Sequence, residues 1–157
     1  MKVFRIAKTQ NINDLSGVGA RIYGGRWNHK GTGIIYTSES ISLATVEYLV
    51  HVPFSIAPTN RSLTTLQIPD QITPIEIMTD DLPDNWRKYP APSILAESGT
   101  NWVRSNESLL LRVPSVVVQH EFNILINPLH PDMKHVTILQ VESYKADKRL
   151  FKSKRKK

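Results

Sequence analysis

Apolar and polar residues alternate from Val3 to Ala7, the period-two pattern of a first β-strand. A polar stretch from Asn11 to Lys30 follows, carrying Gly17, Gly19, Gly24 and Gly25, and reads as a long loop. Gly33 to Thr37 is short and β-rich, as a buried strand would be. From Ile41 to His51 there is neither Gly nor Pro, and Pro53 ends the run, which predicts a helix capped by Ser38 or Ser40 with Glu39 near its positive end. Leu43, Glu47 and Val50 fall on one face of that helix, with Ala44 and Tyr48 close by. Two further strands are predicted at Ser62–Ile68 and Ile72–Met78, joined by a Pro69-Asp70 turn, and a loop at Asp80–Asp84. Pro92 to Asn106 has helical character despite Gly99.

Leu109–Val113 and Ser115–Val118 read as strands separated by Pro114, which lacks a ladder donor and should mark a bend or bulge. Asn127–Pro131 reads as a rigid turn and Val136–Val141 as a last strand. Strands outnumber helices without alternating regularly with them, so the predicted class is α+β in one domain. At 157 residues the chain suits a single core.

Charge alters little in this picture. The net charge is +6, yet residues 148–157 carry seven Lys or Arg and no acid, leaving 13 basic against 14 acidic residues in the body. The basicity belongs to the tail, and residues 152–157 are expected to be a disordered, solubilising end. A neutral body without a basic helix argues against direct, specific nucleic-acid binding. Cysteine is absent, which excludes disulfides and thiolate metal sites. The five histidines, at 29, 51, 120, 130 and 135, lack metal-ligand spacing, so no metal is expected. Charges at Arg5 and Lys8 interrupt the N-terminus, and no apolar run approaches the ~18 residues of a membrane span, so a soluble, cytoplasmic protein is expected.

Four residues stand out chemically. Arg26, in Gly24-Gly25-Arg26-Trp27-Asn28, offers a guanidinium fork beside backbone that a ligand can approach, though a solvated surface arginine fits as well. Tyr36 ends an apolar strand and suits either stacking on a flat ring or plain core packing. Glu47 interrupts an apolar stripe, which is costly unless it is paired, for instance with Arg21 or Arg26, or sits in a cleft. Ser115 has no Gly-x-Ser-x-Gly context and is expected to bond to nearby backbone or to position, not to attack.

Together these residues resemble a family. Gly19-Ala20-Arg21-Ile22-Tyr23-Gly24-Gly25-Arg26-Trp27-Asn28 is similar to the opening signature of RES-domain proteins. So are Ile35–Ser40 with Ala44–His51, Val113-Pro114-Ser115, Asn123–Pro131 and Asp147–Phe151, in that order. The family's arginine, glutamate and serine match Arg26, Glu47 and Ser115, and the likeness spans about residues 3–151. It implies a RES domain over 1–151 with a fold like ADP-ribosyltransferases of the diphtheria-toxin type. It also implies a toxin that degrades NAD⁺ by hydrolysis or phosphorolysis at the nicotinamide–ribose bond, or one that transfers ADP-ribose to a protein. NAD⁺ would be a substrate, with no cofactor, and the partner an Xre-type helix-turn-helix antitoxin; a homo-oligomer is left open. Glu47, Arg26 and Tyr36 would be catalytic, and Arg26, Tyr36, Ser115 and Asn127 would bind substrate.

Overall fold

A computed structural model describes every residue except Phe54, Ile56 and 152–157, so the expected disordered tail lies outside the described residues. The core is one seven-stranded sheet in the order β4-β5-β6-β2-β1-β3-β7. Its strands are β1 (Lys2–Lys8), β2 (Ile35–Ser38), β3 (Arg61–Gln67), β4 (Ile75–Glu76), β5 (Leu110–Pro114), β6 (Phe122–Ile126) and β7 (Thr137–Ser143). Every neighbouring pair is antiparallel except β4 with β5. Three α-helices among the described residues complete the α+β fold: α1 (Val18–Tyr23), α2 (Ile41–Leu49) and α3 (Ser93–Ser105). None is long and apolar enough to cross a membrane.

The middle of the sheet is buried on both faces. Leu110, Ile124, Ile126 and Ile35 point into one apolar cluster with Val3, Leu66 and Ile68. Their alternates Leu111, Val113 and Leu125 join a second cluster with Trp27, Ile34 and Trp86, over which α3 lays Leu95, Trp102 and Val103. Successive strand residues face opposite sides, so a strand covered on both sides has a continuous apolar sequence in place of an alternating one.

Several sequence expectations change here. The stretch expected to be loop from Asn11 to Lys30 contains α1, bracketed by Gly17 and Gly24, whose N–H bonds to Ala20 O at 2.8 Å. The strand expected at Ile72–Met78 shrinks to Ile75–Glu76 and lies parallel beside Leu111–Arg112, on the far side of the sheet from β3. Ser115–Val118 is not a strand: the chain turns after Pro114, and the Ser115 hydroxyl accepts the N–H groups of Val117 and Val118. The unforeseen strand is β6, which lies between β5 and β2.

Helix α2 begins where Ser40 accepts the Leu43 N–H at 3.0 Å, so Ser40 and not Ser38 is the cap. It buries Leu43 and Ala44 and packs against β1 and β2, bringing Glu47 over the sheet one turn further on. Helix α3 has a different constraint. A Cβ on Gly99 would lie 1.9 Å from Trp27 O, so only glycine lets the Arg26-Trp27-Asn28 segment lie against this helix.

Candidate active site

Strand β1 pairs with β3 over its whole length but meets β2 at a single register pair, Phe4 with Ser38. The next pairs in that register would be Arg5 with Thr37 and Ile6 with Tyr36, and neither forms. The two strands separate at that point. Two hollows of about 240 Å³ each open there and share Arg5, Ile6 and Tyr36 in their walls. One extends towards Glu47, Tyr48, His51 and Asn123, the other towards Asp14, Gly17 and Gly19.

Glu47 projects from α2 into the first hollow. Its Oε1 accepts the Ser115 hydroxyl at 2.7 Å and the Asn123 side-chain N–H at 2.5 Å. Neither Arg21 nor Arg26 forms an ion pair with it among the described residues. The carboxylate is therefore held by neutral donors, and among the described residues no cation lies at contact distance from it. Ser115 can serve it because β5 ends there. The Ser115 N–H bonds to Glu121 O at 2.8 Å across the turn, and the side chain is 1% exposed, so it reaches Glu47 without opening onto the hollow. Asn123 lies opposite Ser38 in the β2–β6 ladder, and its Oδ1 accepts the Ser38 hydroxyl at 2.7 Å.

Tyr36 stands on the other wall. Its hydroxyl donates to Asn28 Oδ1 at 2.7 Å and accepts the Trp27 N–H at 3.1 Å. Asn28 is itself buried, donating to Ala20 O at 2.8 Å and Thr32 O at 2.9 Å. A Cβ at Gly25 would come within 2.6 Å of the Tyr36 oxygen, so the glycine makes room for this contact. Burial pushes the Tyr36 phenol well above its ordinary pKa, against the opposing pull of the Trp27 N–H and the Arg26 charge. The phenol is a neutral group.

Arg26 is placed differently from the sequence expectation. Its Nη1 donates to Trp86 O at 2.7 Å, and Nη1 and Nη2 both reach Lys88 O at 3.3 Å. It tethers the segment after Pro83 to the glycine-rich loop and lines neither hollow. Burial lowers its pKa, while the charge of Glu47 opposes the shift, so the guanidinium lies within the electrostatic reach of that carboxylate. Nε–H and one Nη2 hydrogen have no partner among the described residues.

Asn127 lies apart. It is fully buried, donates to Val103 O and Asn106 Oδ1 at 3.2 and 3.1 Å, and accepts the Leu129 N–H at 3.0 Å. Four residues along a strand direction separate it from Asn123, about 13 Å. It ties the turn after β6 to the end of α3, and every polar atom it has is occupied. His130 caps the next turn by accepting the Asp132 N–H at 3.1 Å. No group of three His, Cys, Asp or Glu residues able to hold a metal occurs among the described residues.

Three residues of the cleft escaped the sequence reading. Arg5 lines both hollows, donates to Asp14 O at 2.6 Å and has its pKa lowered by burial, with Asp14 opposing. Its signal was a charge in the middle of a strand. Asn123 and Ser38 carried only a weak one, a polar residue beside an apolar run.

The RES domain family model matches residues 2–147. "Prs ADP-ribosylating toxin" from Sphingobium sp. (strain YBL2) is 40% identical over 148 residues, 93% of this chain and 92% of that protein. "Toxin Res" from Yersinia enterocolitica is 39% identical over 152 residues, 96% of this chain and 99% of that protein. In the solved M. tuberculosis MbcT–MbcA toxin–antitoxin complex, one chain superposes with a TM-score of 0.71 at 17% identity, covering 91% of this chain and 83% of that one. That likeness concerns the fold, and the identity of the chain rests on the family model and the two relatives: this protein belongs to the RES domain family.

Proposed function

We propose that this chain is the toxin of a toxin–antitoxin pair and that it breaks the nicotinamide–ribose bond of NAD⁺. The observation that carries the reading is Glu47: a carboxylate with no cation at contact distance among the described residues, held by neutral donors, in the wall of the cleft between β1 and β2. Nicotinamide leaves NAD⁺ as a neutral ring, and positive charge develops on the ribose as it goes. A fixed anion beside that sugar stabilises the transition state more than the ground state, which is what accelerates the step. Tyr36, neutral and half-buried, presents an aromatic wall on which the nicotinamide can stack. The cationic Arg5 between the two hollows suits the pyrophosphate, and Arg26 has two N–H donors without a partner among the described residues for the same group or the ribose. NAD⁺ is consumed as substrate, and the mechanism requires no cofactor.

A second reading has a specific observation behind it. The Sphingobium relative is named an ADP-ribosylating toxin. The same site performs transfer if a protein side chain, not water or phosphate, reaches the ribose. The neutralising partner proposed with this reading is an Xre-type helix-turn-helix protein, and the pool attacked is cytoplasmic NAD⁺. One experiment tests both: purified protein is incubated with labelled NAD⁺, with and without cell lysate, and products are separated by chromatography. Free nicotinamide with ADP-ribose, or ADP-ribose 1″-phosphate, supports cleavage, and label on a macromolecule supports transfer. Unchanged NAD⁺ in both arms, under conditions where the protein is folded, rejects both.

A further inference from the structure

We infer that Ser38 and Asn123 are positioning residues that aim the Glu47 carboxylate, one oxygen locked and the other presented to substrate. Both donors to Glu47, the Ser115 hydroxyl and the Asn123 amide, converge on Oε1. Oε2 accepts no hydrogen bond among the described residues and is not sealed from solvent. Two bonds from different directions to one oxygen fix the plane and tilt of a carboxylate, which one bond would leave free to rotate. The oxygen left over is the one that meets a ribose hydroxyl or the developing charge.

The direction of the Asn123 amide is what makes this arrangement hold. If the amide were reversed, Oδ1 would lie against the negatively charged Oε1 at 2.5 Å. Glu47, which can only accept, therefore sets the direction of the amide, and Ser38 holds its other end: the hydroxyl donates to Oδ1 at 2.7 Å from the position opposite Asn123 in the β2–β6 ladder. Ser38 is 4% exposed, so water does not readily substitute for it. A chain of bonds thus runs from Ser38 through Asn123 to Glu47 and holds the amide at both ends. Asn123 also lines the hollow that Glu47 faces, while Ser115 approaches from the buried side.

This inference rests on the NAD⁺ reading for its kinetic consequence but not for its geometry, and the test separates the two. In steady-state NAD⁺ cleavage, Asn123→Leu, close in volume, should lower kcat on the order of 100-fold with KM within about threefold, since a loosely aimed group loses rate more than binding. Ser38→Ala should lower kcat about tenfold, and Ser38→Thr, which keeps the hydroxyl, should restore most of that. A general packing role would give neither the kcat-only loss nor the threonine rescue. Wild-type kcat in both Asn123→Leu and Ser38→Ala would overturn the inference, as would a loss confined to KM.

The second measurement needs no turnover. In ¹⁵N NMR of the wild-type protein, the Asn123 side-chain amide should have one proton far downfield and slow to exchange. It should move back to the ordinary region in Glu47→Ala and in Ser38→Ala. If wild-type protein leaves NAD⁺ intact yet shows this signal, the functional reading fails and the aiming chain stands. An ordinary, rapidly exchanging amide in the wild type removes the aiming chain whatever the activity.

Discussion

The Ser115 hydroxyl donates to Glu47 Oε1 over 2.7 Å while its own oxygen accepts the N–H groups of Val117 and Val118 at 3.1 and 3.0 Å. Its hydrogen and both lone pairs are committed, which leaves nothing with which to attack a sugar carbon. Ser115→Ala should therefore destabilise the protein by about 2 kcal/mol, the expense of leaving buried partners unpaired, and should lower turnover through Glu47. Mass spectrometry after exposure to NAD⁺ should find no ADP-ribose on Ser115. A covalent adduct there would show that the serine is a nucleophile.

Glu47 offers a clean separation of charge from shape. Glu47→Gln keeps an oxygen able to accept from Ser115 and Asn123, so urea unfolding should move by less than about 1 kcal/mol. The negative charge disappears, and kcat for NAD⁺ cleavage should drop by about 100-fold or more. Glu47→Ala should do both kinds of damage, leaving two donors unpaired. Wild-type turnover in the glutamine variant would mean the carboxylate does no electrostatic work.

Helix α2 with its serine cap, the strand before it and the Glu47 interruption were legible because they obey local rules: period, cap and one misplaced charge. β6 was not legible, because Ile124, Leu125 and Ile126 serve two cores at once and leave no alternation to read. α1 was hidden by glycines that usually mean loop, in a helix too short to display a period. The cleft itself was invisible for a different reason. It exists where a strand pair stops after Phe4 and Ser38, and no local pattern encodes a ladder that fails to continue. Arg26, Tyr36, Glu47 and Ser115 stood out by their chemistry before any family likeness, whereas Asn127 came from the likeness alone and is buried with its side-chain polar atoms bonded to scaffold.

Asn127 gives a prediction that separates scaffold from site. Asn127→Ala leaves the Leu129 N–H and the Val103 and Asn106 oxygens without their partner, which should lower stability by about 2 kcal/mol. KM and kcat for NAD⁺, measured at a temperature where the variant stays folded, should remain within about twofold of wild type. A KM rise of tenfold without loss of stability would return Asn127 to the binding site.

Tyr36 makes stability depend on alkaline pH. Its phenol is raised in the folded state by burial, so it keeps its proton where the unfolded chain ionises, at about pH 10. The stabilisation is present in full below that value and fades as pH climbs towards the raised one. Tyr36→Phe loses the bonds to Asn28 and Trp27 and should be about 1–2 kcal/mol less stable at pH 8. It has no proton to lose, so urea titrations from pH 8 to 11 should show the wild type converging on the variant. A gap that stays constant to pH 11 would contradict the raised phenol.

Gly99 lies in the interior of α3, where alanine ordinarily gains about 1 kcal/mol in helix propensity. Here the added carbon would fall 1.9 Å from Trp27 O and 2.9 Å from Trp27 C, both backbone atoms that cannot rotate away. Relief requires the helix and the Arg26-Trp27-Asn28 segment to part, opening the cluster that Trp27, Leu95 and Trp102 fill. The strain outweighs the propensity, and Gly99→Ala should lose about 2–3 kcal/mol in urea unfolding. The displacement also acts at the cleft, because the Trp27 N–H and Asn28 Oδ1 hold the Tyr36 hydroxyl. KM for NAD⁺ should rise along with the loss of stability. A Gly99→Ala protein as stable as wild type, with unchanged KM, would show that α3 and the glycine-rich loop are not in the contact described.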